Sequence, residues 1–297
     1  MRNKSPLFII LLLTAIGIAS YFAWAHFRPV PAVILPPNLT RLDPAVQELI
    51  RLKAANVAAQ PRDASGHGDL GFCYEANSLW QEARASFATA SMLAPEEMLW
   101  KLHLAIAYRQ TGAYEEALES LTNLARQYPD ASHIQQRLGH ALSENGDLKG
   151  AESAFQKLIA LLPDSPYGYS GLGDVLLQMH DHQQAVQLLE KAVSLDPGYR
   201  TSHYLLGTAY LRLGLREKAE KELTQGTNAT IQFLPDPASA TVRQYAVNLT
   251  ARVQQAEEEL RIGNPKEAAL LLEQALSHHP KNVTVLNNLA IAYMRSR

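Results

Sequence analysis

The residues best suited to chemistry in this chain are two histidine clusters and one cysteine. His180-Asp181-His182 places two imidazoles and a carboxylate within three positions, and His278-His279 adds a second pair. Such groups are the usual ligands of zinc and other borderline metals. Both clusters fall at predicted turns between helices or at helix ends, where adjacent or alternate side chains rarely converge on one ion, so they read as polar turn residues. Cys73 is the sole cysteine, which excludes an internal disulfide, a C-x-x-C zinc pair and a C-x-x-C-H haem motif. Within a predicted helix beside Tyr74, it reads as a small packing residue. No Gly-rich phosphate loop, nucleophile elbow or His-Glu-x-x-His occurs in the sequence. Catalysis, a metal and a cofactor are therefore not expected. Asn38, Asn228, Asn248 and Asn282 each open an Asn-x-Thr sequon. In a chain of bacterial character these are chance matches.

The elements around those residues are set by a repeat. Pro61, Pro95, Pro129, Pro163 and Pro197 are spaced by 34 residues without a slip, the sign of one supersecondary unit stacked on copies of itself. In the first full copy Leu70, Gly71 and Tyr74 share one predicted helix and Ala83, Phe87 and Ala90 a second, which Pro95 stops. Leu104, Ala105, Tyr108, Gly112, Ala117, Leu121 and Leu124 repeat the pattern, as do Leu138, Gly139, Leu142, Gly146, Ala151, Phe155 and Leu158. Leu172, Gly173, Leu176, Ala185, Leu189 and Ala192 follow, then Leu206, Gly207, Tyr210, Gly214, Ala219 and Leu223. Small residues let the two backbones approach, and aromatic or aliphatic ones fill the space between units. Gly112, Gly146 and Gly214 suit a left-handed helix end. His180 occupies that place in the fourth copy, where a strained or differently built turn is expected.

This chain resembles the tetratricopeptide repeat (TPR) family, closely from Ala64 to about Gly226. The resemblance implies an all-α solenoid of helix-turn-helix units wound into a right-handed superhelix, with the first helices on its inner wall. The units are expected at 64–97, 98–131, 132–165, 166–199 and 200–226, preceded by a lone capping helix in a half repeat at 42–63. An insert rich in Thr, Asn and Pro spans 227–241. Ser239 to Ile262 then reads as one long helix with Val242, Tyr245, Leu249, Val253, Ala256 and Leu260 on one face. Two degenerate repeats, 242–282 and 283–297, finish the chain as one continuous solenoid. Leu286, Leu289 and Tyr293 form an apolar face on the last helix. Three readings of that face are open: a fragment of a longer protein, a docking or self-association surface, or adequate local packing.

The N-terminus suggests a membrane. Arg2 and Lys4 precede an uncharged apolar stretch from Leu7 to Ala25, the positive-inside pattern of a segment entering from the cytoplasm. A single transmembrane helix or signal anchor over 1–27 is expected. A stretch of about 20 residues suffices to span a bilayer, and Tyr21, Phe22 and Trp24 suit the far interface. Ala23-Trp24-Ala25 also fits signal cleavage, so a periplasmic form cut near Ala25 stays as the alternative to an inner-membrane protein with its solenoid in the periplasm. A Pro-rich tether over 28–41 would hold the solenoid off the membrane.

Charge excludes one class of partner. Lys and Arg number 27 against 29 acidic residues, so no global field attracts nucleic acid. Function then falls to the inner wall, where residues three and four apart on each first helix share a face. The candidate partner-binding residues are Phe72, Leu102, Ile106, Arg109, Gln136, His140, Tyr167, Asp174, Tyr204 and Leu211. Some of Phe72, Leu102 and Tyr204 are also candidates for packing between helices. Family members that clamp chaperone carboxyl ends carry Lys and Asn at such places; here Gly68, Phe72, Leu102 and Ile106 stand there, so a helical or extended protein segment with apolar anchors is the expected ligand. The leading reading is a membrane-tethered interaction scaffold of the bacterial envelope. The alternative is the regulatory or tethering part of a longer envelope enzyme or electron-transfer protein.

Overall fold

In the computed structural model, which describes residues 29–296, the repeat pattern becomes five antiparallel hairpins. A lone helix α1 (Pro44–Ala59) precedes them. The hairpins pair α2 (Ala64–Ala76) with α3 (Trp80–Leu93), α4 (Met98–Gln110) with α5 (Tyr114–Gln127), and α6 (Ser132–Glu144) with α7 (Leu148–Leu161). Then come α8 (Pro166–Gln178) with α9 (His182–Leu195), and α10 (Arg200–Arg212) with α11 (Arg216–Gln225). Every described helix is α apart from one 3₁₀ turn, Leu39–Arg41, and the described residues include no strand. Ile34 to Arg297 is one compact unit. The stretch Leu7–Ala25 lies outside the described residues. Among the described ones no helix is long and apolar enough to cross a membrane.

The repeat's small positions set the spacing within each hairpin. A Cβ on Gly139 would lie 2.8 Å from the Phe155 ring, and one on Gly171 in the next unit 2.2 Å from the same ring. Phe155, fully buried, is thus wedged between two bare backbones. Each hairpin turn contains one residue in the left-handed region. Gly112, Gly146 and Gly214 have φ of 82°, 82° and 76°, and Ser78 and His180 take the same conformation at 59° and 64°. The fourth turn is therefore built like its neighbours, with a non-glycine residue in a conformation that favours glycine. Asp181, between the two histidines, caps α9 by accepting the Gln184 N–H, which accounts for the His-Asp-His motif structurally. Cys73 is fully buried, and burial pushes its thiol up to about 12.

Beyond Gly226 the stack is interrupted. The long helix expected over Ser239–Ile262 is two: α12 (Ser239–Tyr245) and α13 (Leu249–Arg261). The break is made by Asn248, whose side chain accepts the Ala251 N–H and starts α13 afresh. The sixth hairpin thus begins at Leu249, where α13 pairs with α14 (Pro265–His278), followed by α15 (Val283–Arg295), which Asn282 caps in the same way. These three helices share a core of their own built on Ala256, Leu272, Val285 and Leu289. Leu289 is buried there, so the exposed apolar side of α15 consists of Val283, Leu286, Tyr293 and Met294.

The second stack meets the start of the first. Asp43, which caps α1, also accepts the Leu249 N–H at 3.0 Å and lies 2.9 Å from His279 Nε2. The tether does not stay clear of the body along its whole length: the Tyr74 hydroxyl donates to the Ile34 carbonyl at 2.9 Å, and Pro36 is buried.

Candidate functional site

The first helices α2, α4, α6, α8 and α10 line a wall, and a segment of the chain itself lies along it. Residues 230–245 cross the wall against the order of the repeats. At the fifth unit the Thr201 hydroxyl donates to the Thr230 carbonyl at 2.7 Å. At the third, the Gln136 side chain grips the backbone twice, donating to the Gln232 carbonyl at 2.9 Å and accepting the Leu234 N–H at 2.6 Å. Phe233 sits edge-on to His140, with ring centroids 5.4 Å apart, and under the Arg137 guanidinium at 4.6 Å. Further on, Asp236 approaches His103 Nε2 of the second unit and Arg137 of the third, each at 3.4 Å. At the first, Asn77 donates to the Tyr245 carbonyl, while the Tyr245 hydroxyl meets Lys53 at 2.5 Å and Asp69 at 3.2 Å. We call residues 230–245 the strap.

Charge is concentrated under the strap's middle. His103 is 1% exposed and held between Glu75, at 2.7 Å, and Asp236. Burial alone would lower its pKa, but hydrogen bonds and charge from Asp236 and Glu75 win and hold it above the ordinary imidazole value. Burial likewise would raise Asp236, yet His103, the Ala238 N–H and Arg137 keep its carboxyl far below the usual range. Burial lowers Arg137, partly offset by Asp236. His140, without a carboxylate partner in contact, is pushed down to about 4 by burial and is neutral.

The ten residues expected to bind a partner separate into four groups. Gln136 and His140 touch the strap directly. Phe72, Leu102 and Ile106 are packing residues in whole or part: Phe72 stacks among Phe87, Trp100 and His103, Leu102 is fully buried, and half-buried Ile106 packs on the core around it. These side chains stand where neighbouring first helices converge, so Phe72 and Leu102 are not available to a ligand. Arg109 forks onto Glu144 of the next first helix, Tyr167 packs on Tyr199, and Asp174, raised by burial, accepts from Gln178. Tyr204 and Leu211 are each 50% exposed on α10.

Asp69, His103 and Arg137 are missing from those ten although each stands three residues before one of them, Phe72, Ile106 and His140, and so on the same broad face. Their signal was present: Asp69, His103 and Arg137 occupy one register position of the 34-residue repeat, where the fourth and fifth units carry Gly171 and Leu205. Among the described residues no cluster of three or more His, Cys, Asp or Glu could hold a metal ion.

Comparison with known proteins agrees with this architecture. Models described as tetratricopeptide repeat match residues 108–174, 176–233 and 253–297. The chain is built of tetratricopeptide repeats. No curated protein sequence matches it. Among solved structures it is similar to a chain of the APC/C hetero-tetramer Cut9–Hcn1, with TM-score 0.53 and 20% identity over 83% of this chain and 46% of that one. It is also similar to pilF of Pseudomonas aeruginosa, at 0.50 and 16% over 78% of this chain and 99% of that one. MamA from Desulfovibrio magneticus RS-1 is similar at 0.50 and 19%, over 55% and 92%. At these identities the likeness is one of fold.

Proposed function

We propose that the protein is a non-enzymatic scaffold whose groove binds extended segments of partner proteins, held at a bacterial inner membrane by its N-terminal apolar stretch with the repeats in the periplasm. One observation carries the binding half: the wall already grips an extended polypeptide, and Gln136 does so through backbone groups that any sequence offers. Tyr204 and Leu211 extend the wall past the strap as half-exposed side chains, and tyrosine is among the residues that dominate such interfaces. The membrane half rests on Arg2 and Lys4 ahead of Leu7–Ala25.

Photocross-linking tests the binding. A benzophenone side chain placed at Tyr204 in the full chain, irradiated in membranes of the source cell, is expected to give a discrete protein adduct that an equivalent probe at Glu190 does not. Adducts at Glu190 alone would move binding to the second helices and end the groove reading. For the anchor, the protein is expected to resist alkaline extraction. A soluble mature form beginning at His26 would overturn it.

A further inference from the structure

The strap's own contacts describe a ligand. We infer that the groove recognises an extended partner segment with an aromatic side chain followed three positions on by a carboxylate, and that the strap is an internal copy of this ligand which the partner displaces. The inference rests on the groove reading above and names its partner's chemistry.

Three observations support it. First, a wall built only to stack hairpins has no need of charge at its core, yet His103 and Arg137 are buried and share one register position with the half-exposed Asp69, and all three contact the strap; the fourth and fifth units carry Gly171 and Leu205 there. Second, the contacts spell a spacing. Phe233 fills the place between His140 and Arg137, and Asp236 reaches His103 and Arg137. Third, the strap satisfies this site incompletely. Both Asp236 contacts with cations are long, at 3.4 Å, and the buried Arg137 Nε has no hydrogen-bond partner. A guanidinium fork favours a carboxylate taken by two bonds, so a partner carboxylate seated slightly deeper outcompetes Asp236. The strap is anchored at points rather than sealed along its length: Asp236 and Ala238 are buried, but Ile231 is 44% exposed, Gln232, Pro235 and Pro237 are exposed, and Phe233 is half-buried.

A fluorescent peptide with the sequence of Thr230 to Ala240 tests this on the full-length protein. Wild type, its groove occupied, is expected to bind at least tenfold more weakly than a Phe233→Ser/Asp236→Asn variant. Adding Gln136→Ala, or replacing the aromatic or the acid in the peptide, should remove most of that gain. Equal affinity for wild type and a variant of unchanged helicity, or no binding to that variant, overturns the inference. Where the variant fails to fold, hydrogen exchange on wild type decides. The Leu234 and Ala238 amides, bound to Gln136 and Asp236, are expected to exchange well before those of α4 and α6, and faster again with saturating peptide. Exchange of these amides only through global unfolding, unaffected by peptide, makes the strap a permanent part of the fold and sinks the proposal. A strap that never opens alongside a discrete Tyr204 adduct would overturn this inference alone and leave the scaffold reading standing.

Discussion

The hairpins and the strap lie against each other yet are held by opposite physics. In the hairpins each apolar residue meets a partner dictated by the repeat: Phe155 against Gly139 and Gly171, Leu189 against Gly173, Leu223 against Gly207. The strap has no period. It is held by two amide side chains, Gln136 and Asn77, the Thr201 hydroxyl, one aromatic contact, a buried cluster of charges and the Tyr245 hydroxyl. Apolar burial is non-directional and supplies stability, whereas the polar contacts specify register and contribute about 0.5–1.5 kcal/mol each between neutral groups and about 1.5–3 kcal/mol where a partner is charged. Damage to the hairpins should therefore unfold the protein, and damage to the strap should merely release it.

The largest effect is expected where a glycine touches a ring. Gly139→Val drives a branched side chain into Phe155, for which overpacking costs about 1–3 kcal/mol or more, and loosens the coupling of the third unit to its neighbours. A fall in melting temperature of several degrees, with loss of helicity on heating, is expected. An unchanged melt would mean that α6 and α7 are not in this close contact.

Next in size come the strap's grips. Gln136→Ala leaves the Gln232 carbonyl and Leu234 N–H to find water, at about 1–3 kcal/mol locally. Hydrogen exchange should quicken across residues 230–245 while α8 and α9 stay protected. Uniform quickening of the whole body would show that the strap is a keystone of the fold and would erase the contrast with the hairpins.

Much of this architecture was legible in the sequence because a solenoid writes its fold at every register position. The five hairpins, the turn glycines and the terminal prolines follow from the 34-residue spacing. The strap did not, because its conformation is imposed by a wall assembled from four distant units and leaves no periodicity in its own residues. Val242 and Tyr245 share an apparent helical face with Leu249, yet Tyr245 points its hydroxyl to Lys53 and Asp69 while Leu249 joins the second core. Inner-wall register positions do not separate binding from packing in the sequence, since Leu102 and Gln136 occupy the same one, Leu102 is fully buried and only Gln136 meets the strap.

A smaller effect separates two histidines on the same wall. His103, raised above its ordinary 6.5, favours the docked strap as imidazolium. Its contribution is complete below pH 6.5 and is lost as the pH rises through the elevated value. His140, lowered to about 4, acts the other way: between 6.5 and about 4 the unfolded chain takes up a proton that the native site refuses, so its contribution falls on acidification. Asp236, held down from 3.8, loses its own contribution only at still lower pH. Strap exchange, corrected for intrinsic rates, should quicken by a few-fold on raising the pH from 6 to 9, and Asp236→Asn should flatten that rise. A rise that persists undiminished in the Asp236→Asn variant would detach the alkaline response from this pair.

The smallest effect compares turns that share one backbone. At Gly146 a Cβ would meet nothing within 4 Å, so replacing this residue changes conformational preference and little else. His180 holds the same left-handed conformation with an exposed side chain whose ring contact is His182, at 6.0 Å between centroids. A residue other than glycine costs roughly 1 kcal/mol in that region. Gly146→Ala should therefore destabilise by about 1 kcal/mol and His180→Gly stabilise by about 1 kcal/mol or slightly less, because glycine also frees the unfolded chain. Urea melts of the two variants should move in opposite directions from wild type with unchanged slope. Movement of both in the same direction would mean that the fourth turn owes its shape to the histidine itself, and that the five hairpins are not built alike.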